Sequence, residues 1–157
     1  MGARGRRETR SLFARAVALL ARREHSRAEL AIKLRRTLSK ADDPAEVDQV
    51  LDALERDKLL SDERFAGALT RTRSARFGDA RVRFDLKSAG VTAETVDRAV
   101  ASLKGTELDR ARAVWLRRFG EPPRTAQERG RQARFLQARG FSTETIGKVL
   151  RGLPGDD

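Results

Sequence analysis

The side chains of this chain best suited to act on another molecule are its arginines. Lys and Arg number 34 against 23 Asp and Glu, a net charge of +11, and such an excess favours polyanions or acidic protein surfaces. The exposed candidates fall into three groups. Arg22, Arg23, Arg27, Arg35 and Arg36 come first, then Arg71, Arg73, Arg76, Arg81 and Arg83, then Arg129, Arg131, Arg134 and Arg139. Abundant Arg and Ala could reflect a GC-rich genome, but that would scatter arginine evenly. Here it alternates. Residues 1–40 hold 12 basic and 3 acidic groups, 41–62 hold 2 and 8, 63–84 hold 6 and 2, 85–109 hold 3 and 5, 110–139 hold 9 and 2, and 140–157 hold 2 and 3.

Other chemistries find little footing. Cysteine is absent, which removes disulfides, thiolate metal sites and Cys nucleophiles. His25 is the one histidine, and without a ligand set it reads as a structural or exposed residue. Asp42, Asp43, Glu46, Asp48 and Asp52 belong to a helix start and its polar face, where acids suit the helix dipole. There is no nucleophile–base–orienter set and no Gly-rich phosphate loop. The chain is therefore expected to be no enzyme and to need no cofactor or metal.

The elements that must position the arginines repeat. Gly90-Val91-Thr92-Ala93-Glu94-Thr95-Val96 returns as Gly140-Phe141-Ser142-Thr143-Glu144-Thr145-Ile146. Leu86 then matches Leu136, Val100 matches Leu150 and Leu103 matches Leu153. Val47, Val50, Leu51 and Leu54 repeat the spacing of Val96, Ala99, Val100 and Leu103 without the glycine. Each set is one stripe of an α-helix. A period near 50 residues marks stacked supersecondary units.

Cap signals divide the chain into nine helices, near 9–23, 26–38, 44–57, 62–75, 79–89, 93–104, 107–118, 126–139 and 143–152. Capping boxes are expected at Ser26/Glu29 and Thr125/Glu128, with a weaker one at Thr106/Asp109, and Pro44 falls at a first helical position. Apolar pairs Leu60/Phe65, Val91/Val96 and Phe141/Ile146 staple three further starts. Gly90 and Gly140 are expected as left-handed caps. The reading is all-α, an elongated array of three tandem three-helix repeats at 9–59, 60–105 and 106–154, with a disordered basic arm at 1–8 and a frayed end after residue 153. The leading helices of each unit are basic and the closing helix is not, so stacking would form a discontinuous basic band. Leu12 to Leu20 is too short for a membrane span and is interrupted by Arg15. A soluble, cytoplasmic protein follows.

The segment 136–146 also has the rhythm of a helix-turn-helix, with Thr143, Glu144, Thr145 and Lys148 at the reading positions. Because the pattern recurs at 90–96, a packing turn is favoured over a base-reading head.

Leu60-Ser61-Asp62-Glu63-Arg64-Phe65-Ala66, then Arg73-Ser74 with Phe77-Gly78, then Arg134-Phe135-Leu136 with Arg139-Gly140-Phe141, together resemble the RecX family of bacterial RecA regulators. Arg22-Arg23-Glu24-His25-Ser26 with Glu29-Leu30, and Arg118-Phe119-Gly120, fit the same pattern in order. The resemblance spans about residues 12–153. One departure is Thr37-Leu38-Ser39-Lys40-Ala41-Asp42-Asp43, where the family has a short glycine turn.

The resemblance implies tandem three-helix repeats and a non-enzymatic protein lodged along the groove of the RecA nucleoprotein filament. There it would restrain ATP hydrolysis, strand exchange and cleavage-promoting activity. It implies a monomer, with single- or double-stranded DNA as a further partner. Leu60, Phe65, Ala66, Phe135 and Phe141 are expected in the core, and Asp62 and Arg64 are expected to orient an inter-unit turn. The competing reading is a general DNA-binding helical module that sets the same arginines directly on phosphates.

Overall fold

The computed structural model describes residues 3–40 and 42–152, with side chains from residue 12 onward. Among these residues there are nine helices and no strand: α1 (Ala3–Arg22), α2 (Arg27–Arg35), α3 (Ala45–Arg56), α4 (Asp62–Ser74), α5 (Asp79–Ser88), α6 (Ala93–Ala101), α7 (Glu107–Arg118), α8 (Ala126–Ala138) and α9 (Thr143–Leu150). α1 begins at Ala3, ahead of the start expected at residue 9, and takes in most of the segment read as a disordered arm. Its sequence holds no proline, and Gly5 is its one residue of markedly poor helix propensity. Residues 1 and 2, residue 41 and the tail from 153 onward, with Leu153 and the expected fraying, lie outside the described residues.

The apolar stripes close three separate cores. Leu12, Ala16, Leu30, Leu34, Val47, Val50, Leu51, Leu54 and Leu60 form the first. Phe65, Ala66, Val82, Leu86, Val91, Val96 and Leu103 form the second. Ala111, Val114, Trp115, Leu136, Phe141, Ile146, Val149 and Leu150 form the third. Leu60 and Phe65 flank one cap yet sit in different cores, so Leu60 belongs to the first unit rather than opening the second. Phe135, expected in the core, is only half-buried and packs on the margin of the third cluster.

The caps explain where helices start. Ser26 and Glu29 make the full capping box. Thr125 accepts from the Glu128 amide, but the Glu128 carboxylate turns back to the Arg124 amide at 2.7 Å, so the box closes one residue early. Thr106 does not cap: it is already in the helical region and its hydroxyl donates to the Leu103 carbonyl instead. Pro44 precedes α3 as its N-cap, while the Asp43 carboxylate accepts from the Ala45 amide. α2 stops at Arg35, three residues short of the expected end, where Thr37 bonds back to the Leu34 carbonyl.

Every substantial helix–helix packing lies within a unit. The units are joined by two seams of the same design. In each, the turn between the second and third helices of one unit sits on the N-cap of the second helix of the preceding unit. Ser26 donates to the Ala89 carbonyl at 2.6 Å, and Gly78 donates to the equivalent Arg139 carbonyl at 2.8 Å. An acid at the first position of the next unit's leading helix caps the same second helix. Asp62 accepts from the Arg27 amide at 2.8 Å, and Glu107 accepts from the Asp79 amide at 3.4 Å.

Gly140, at φ +85°, approaches Arg81 so closely that a Cβ would lie 2.6 Å from the Arg81 Cβ. The equivalent Gly90, at φ +79°, lies against Ala28. Both therefore hold the left-handed conformation expected of them. Arg64 pairs with Glu24 across the first seam. Asp62 and Arg64 thus orient the junction, as their place in the sequence suggested.

Candidate functional site

The candidate arginines separate into two classes according to whether the fold neutralises them. In the first unit α3 turns its acids toward α2: Arg27 reaches Asp52 at 2.8 Å and Glu55 at 3.2 Å, and Arg35 reaches Asp48 at 3.3 Å. Arg23 pairs with Glu29. Burial works against the Arg27 charge, but its two carboxylates outweigh that and hold its pKa above the ordinary value. In the second unit Arg83 meets Asp97, and Arg73 and Arg81 share Asp85.

In the third unit the compensation is gone. The repeat position that holds Asp48 and then Asp97 holds Gly147, and Asp52 has become Ala101 and then Arg151. Arg129, Arg131, Arg134 and Arg139 pair with no carboxylate among the described residues, nor do Arg22, Arg36, Arg71 and Arg76.

The second seam gathers part of this surplus. Arg76, Arg117, Arg118 and Arg139, with Val114 and Phe135, line an open groove of about 280 Å³ between the end of α4, α7 and α8. Around it guanidinium groups and phenyl rings interleave. Arg73, Arg81 and Arg139 lie 5.7, 4.9 and 5.5 Å from the centre of the Phe77 ring. Arg139 and Arg118 lie 4.8 and 5.8 Å from that of Phe135. Arg118 and Arg131 lie 5.2 and 6.0 Å from that of Phe119. Phe119 and Phe135 meet edge to face at 5.3 Å.

Ring faces hold cations weakly in water, at roughly 0.5–1 kcal/mol each, but they fix the orientation of otherwise floppy side chains. The remaining bonds also position rather than neutralise: Arg139 donates to the Arg76 carbonyl and Arg117 to the Ala75 carbonyl. Crowded cations without anions repel one another, and an incoming phosphate or carboxylate relieves that repulsion.

Beside the groove the seam is held by half-buried ionic groups. Arg110 donates to the Ser74 and Phe77 carbonyls and to Asp79. Glu107 accepts from the Ser142 amide and the Thr145 hydroxyl as well as from Asp79. Burial raises the Asp79 pKa and nearby Glu107 adds to that, against the opposing pull of Arg110.

Thr145 is thus tied into the seam and Glu144 pairs with Lys148 at 2.9 Å. This pairing lowers the pKa of Glu144. The 136–146 segment is a packing turn in this fold.

His25, at the first seam, stands where Phe77 stands at the second. Its Nδ1 lies 3.0 Å from the Arg23 carbonyl and its Nε2 lies 2.9 Å from the Lys33 ammonium, as a neutral ring requires. Burial lowers its pKa, and the Arg23 and Lys33 charges lower it further.

Arg117 and Arg118 were not among the candidate contact residues, and Phe77, Phe119 and Phe135 entered only as motif or core residues. The signal was present: Arg118-Phe119 and Arg134-Phe135 place a cation beside an aromatic on both helices bounding the groove. Arg22 and Arg36 lie with the first unit, remote in sequence from the groove, and Arg71 lines a different cleft beside α6.

Two family models match in tandem, RecX second three-helix domain over residues 61–100 and RecX third three-helix domain over residues 106–150. The chain is 49% identical to Regulatory protein RecX of Leptothrix cholodnii over 141 residues, covering 90% of this chain and 88% of that one. The chain belongs to the RecX family. Regulatory protein RecX of Ralstonia pickettii is 42% identical, covering 93% of this chain and 90% of the relative, and that of Pseudomonas syringae pv. tomato is 40% identical. The crystal structure of RecX from Lactobacillus salivarius superposes with a TM-score of 0.72 at 15% identity, covering 91% of this chain and 94% of that one. A second RecX crystal structure gives 0.76 at 18% identity, covering 92% of this chain and 73% of that one. At such identities the likeness concerns the fold, and it makes the three-unit array the RecX architecture. No helix among the described residues is long and apolar enough to cross a membrane.

Proposed function

We propose that this RecX-family chain is a non-catalytic modulator, mainly a negative regulator, of the RecA recombinase. It binds along the RecA–DNA filament as a cytoplasmic monomer and restrains ATP hydrolysis, strand exchange and coprotease activity. The observation that carries this reading is the uneven neutralisation of arginine along the array. In the first unit Arg23, Arg27 and Arg35 are spent on that unit's own acids, whereas the arginines of the groove at the second seam and those of α8 meet no carboxylate among the described residues and stay open to a polyanion.

An extended array lets several modest contacts sum through effective concentration, provided their spacing fits the partner. That suits a filament better than an isolated site. Family membership supports the same reading, because its relatives bear the name of regulatory proteins.

The competing reading, a general DNA-binding module, draws on the same groove. The two are separated by measuring RecA ATPase on single-stranded DNA with increasing amounts of this protein. Inhibition at substoichiometric protein supports the regulator. Inhibition only once the protein coats all free DNA supports the DNA-binding module. A salt titration adds a second discriminator, because phosphate contacts weaken log affinity by about 0.7 per contact per decade of salt on single strands. Filament binding is expected to exceed naked-DNA binding by at least about tenfold in moderate salt, about 1.4 kcal/mol.

A further inference from the structure

The seams repeat one geometric operation, so residues at matching places on the second helices face matching directions. Superposing the N-caps Ser26 and Gly78 aligns the buried Leu30 with Val82 and Leu34 with Leu86. In that register Ile32 falls on Phe84. These two side chains are the most exposed large hydrophobics of α2 and α5, at 52% and 63%. The glycine-turn repeat, which aligns Leu86 with Leu136, places Arg134 at the same position of α8, exposed and without a carboxylate partner among the described residues.

A single exposed apolar side chain is ordinary. Two at one repeat position, on consecutive units, form a periodic pattern. The other strongly exposed apolar residues, Leu59 and Leu116, share no such position.

The surroundings state what would cover them. Arg36 lies one turn after Ile32, and Lys87 lies three residues after Phe84. Both are exposed, and neither pairs with a carboxylate among the described residues. The acids nearby are committed, Glu29 to Arg23 and to the Ser26 amide, and Asp85 to Arg73 and Arg81. Each anchor is thus an apolar knob beside an uncompensated cation. Its complement is an apolar socket edged by a carboxylate; the apolar knobs are equivalent in the repeat while their cations are not, Arg36 matching Ser88 and Lys87 matching Arg35, so the apolar part of the socket is the part called for twice.

We propose that Ile32 and Phe84 are paired docking anchors for two successive subunits of a homopolymeric protein partner. On the reading above, from which this inference starts, that partner is the RecA filament. The outward face of α2 and α5 then holds protein, and the arginine groove at the second seam is left for the polyanion. Contacts on two subunits act in concert. Either anchor alone gives the weak grip of one socket, and both together multiply it by the effective concentration that the rigid array imposes.

The test uses the full chain and the variants Ile32→Ala, Phe84→Ala, the double variant and Leu116→Ala as an exposed control. Affinity is measured for RecA filaments on single-stranded DNA, for unassembled RecA and for naked single-stranded DNA. Self-association is followed by sedimentation. Circular dichroism should find all four variants folded, because none of these side chains is in a core. Either single anchor variant should lower filament affinity by about tenfold or more and bring it toward that for unassembled RecA. Leu116→Ala should stay within about twofold, and naked-DNA affinity should be unchanged throughout.

Wild-type protein that restrains the filament while both anchor variants bind it equally well would overturn the anchors and leave the regulator reading standing. Equal losses on filament and on unassembled RecA would overturn the two-subunit arrangement. Variants that abolish self-association but not filament binding would assign the face to a second copy of this chain. Wild-type protein without preference for filament over naked DNA would instead remove the regulator reading itself.

Discussion

Three glycine substitutions dissect how tightly the second seam is built. Gly105→Ala isolates backbone strain, because Gly105 sits at φ +79° with nothing within 4 Å of a new Cβ. A left-handed alanine costs about 1–2 kcal/mol. Gly78→Ala isolates the clash, because Gly78 is at φ −76°, a conformation any residue adopts. Its Cβ would nonetheless press on the Gly140 carbonyl and come within 2.5 Å of the Phe141 amide nitrogen. Both neighbours are backbone and cannot swing aside, so overpacking of about 1–3 kcal/mol or more is expected. Gly140→Ala combines both, meeting the Arg81 amide nitrogen at 2.7 Å from a left-handed position, for about 2–5 kcal/mol.

The assay is urea unfolding followed by circular dichroism. In a parallel thermal melt, each kcal/mol should move Tm by about 2–4 °C at this chain length. The seam variants should also lower the slope of the transition or split it, because units joined only through seams unfold separately once the seam opens. Gly105→Ala should leave cooperativity intact. If Gly78→Ala proves neutral, or Gly140→Ala costs no more than Gly105→Ala, then the close backbone approach between units is not present in solution.

Further outcomes follow from other parts of the molecule. Leu136→Ala, at a fully buried position, should cost about 2–5 kcal/mol by the same unfolding assay. Burial lowers the His25 pKa in the folded state below its unfolded value near 6.5. The His25 contribution is therefore complete above about pH 6.5 and is progressively lost as pH falls from there toward its lowered folded-state pKa. His25→Phe, which copies Phe77 of the second seam, should flatten that part of the stability–pH profile. Replacing Arg118, Arg131 and Arg139 together by Gln should lower the salt slope of single-strand binding by about 2, if each meets one phosphate. Replacing Arg27 and Arg35 should leave that slope unchanged and cost at most about 1 kcal/mol per lost surface pair.

The helices and their register were legible because they are local. Caps such as Ser26 with Glu29, and stripes such as Val47, Val50, Leu51 and Leu54, declare themselves within a few residues. Thr106 misled because Ser and Thr hydroxyls serve carbonyls behind them as readily as amides ahead. The charge rhythm was visible too, but its meaning was not. Net counts over a window cannot tell that Arg27 and Arg35 lie against Asp52, Glu55 and Asp48, whereas Arg139 lies on two phenyl rings. Phe135 was expected in the core with its family motif, but its half-buried ring packs on the core's margin and lines a cationic groove. Arg117 and Arg118 became part of that groove only when α7 and the end of α4 came together, a contact made across more than 40 residues of sequence.

The seam that joins these units is heterologous, donor face to acceptor face, and such interfaces do not close on themselves. Left open at both ends, they recruit further copies and grow into fibres. The first and third units of this chain differ from the second at the places where the seams form. The first unit has no glycine in the turn from Thr37 to Asp43, so it lacks the residue that Gly90 and Gly140 insert against a preceding N-cap. The third unit's α8 start is served by its own Thr125 and Glu128. The first unit's turn, by contrast, lacks the glycine by which Gly90 and Gly140 make their close approach. A chain made of near-copies thus marks each of its joins in the sequence: a turn glycine stands where one unit is pressed on the next, and the turn that presses on nothing among the described residues does without one.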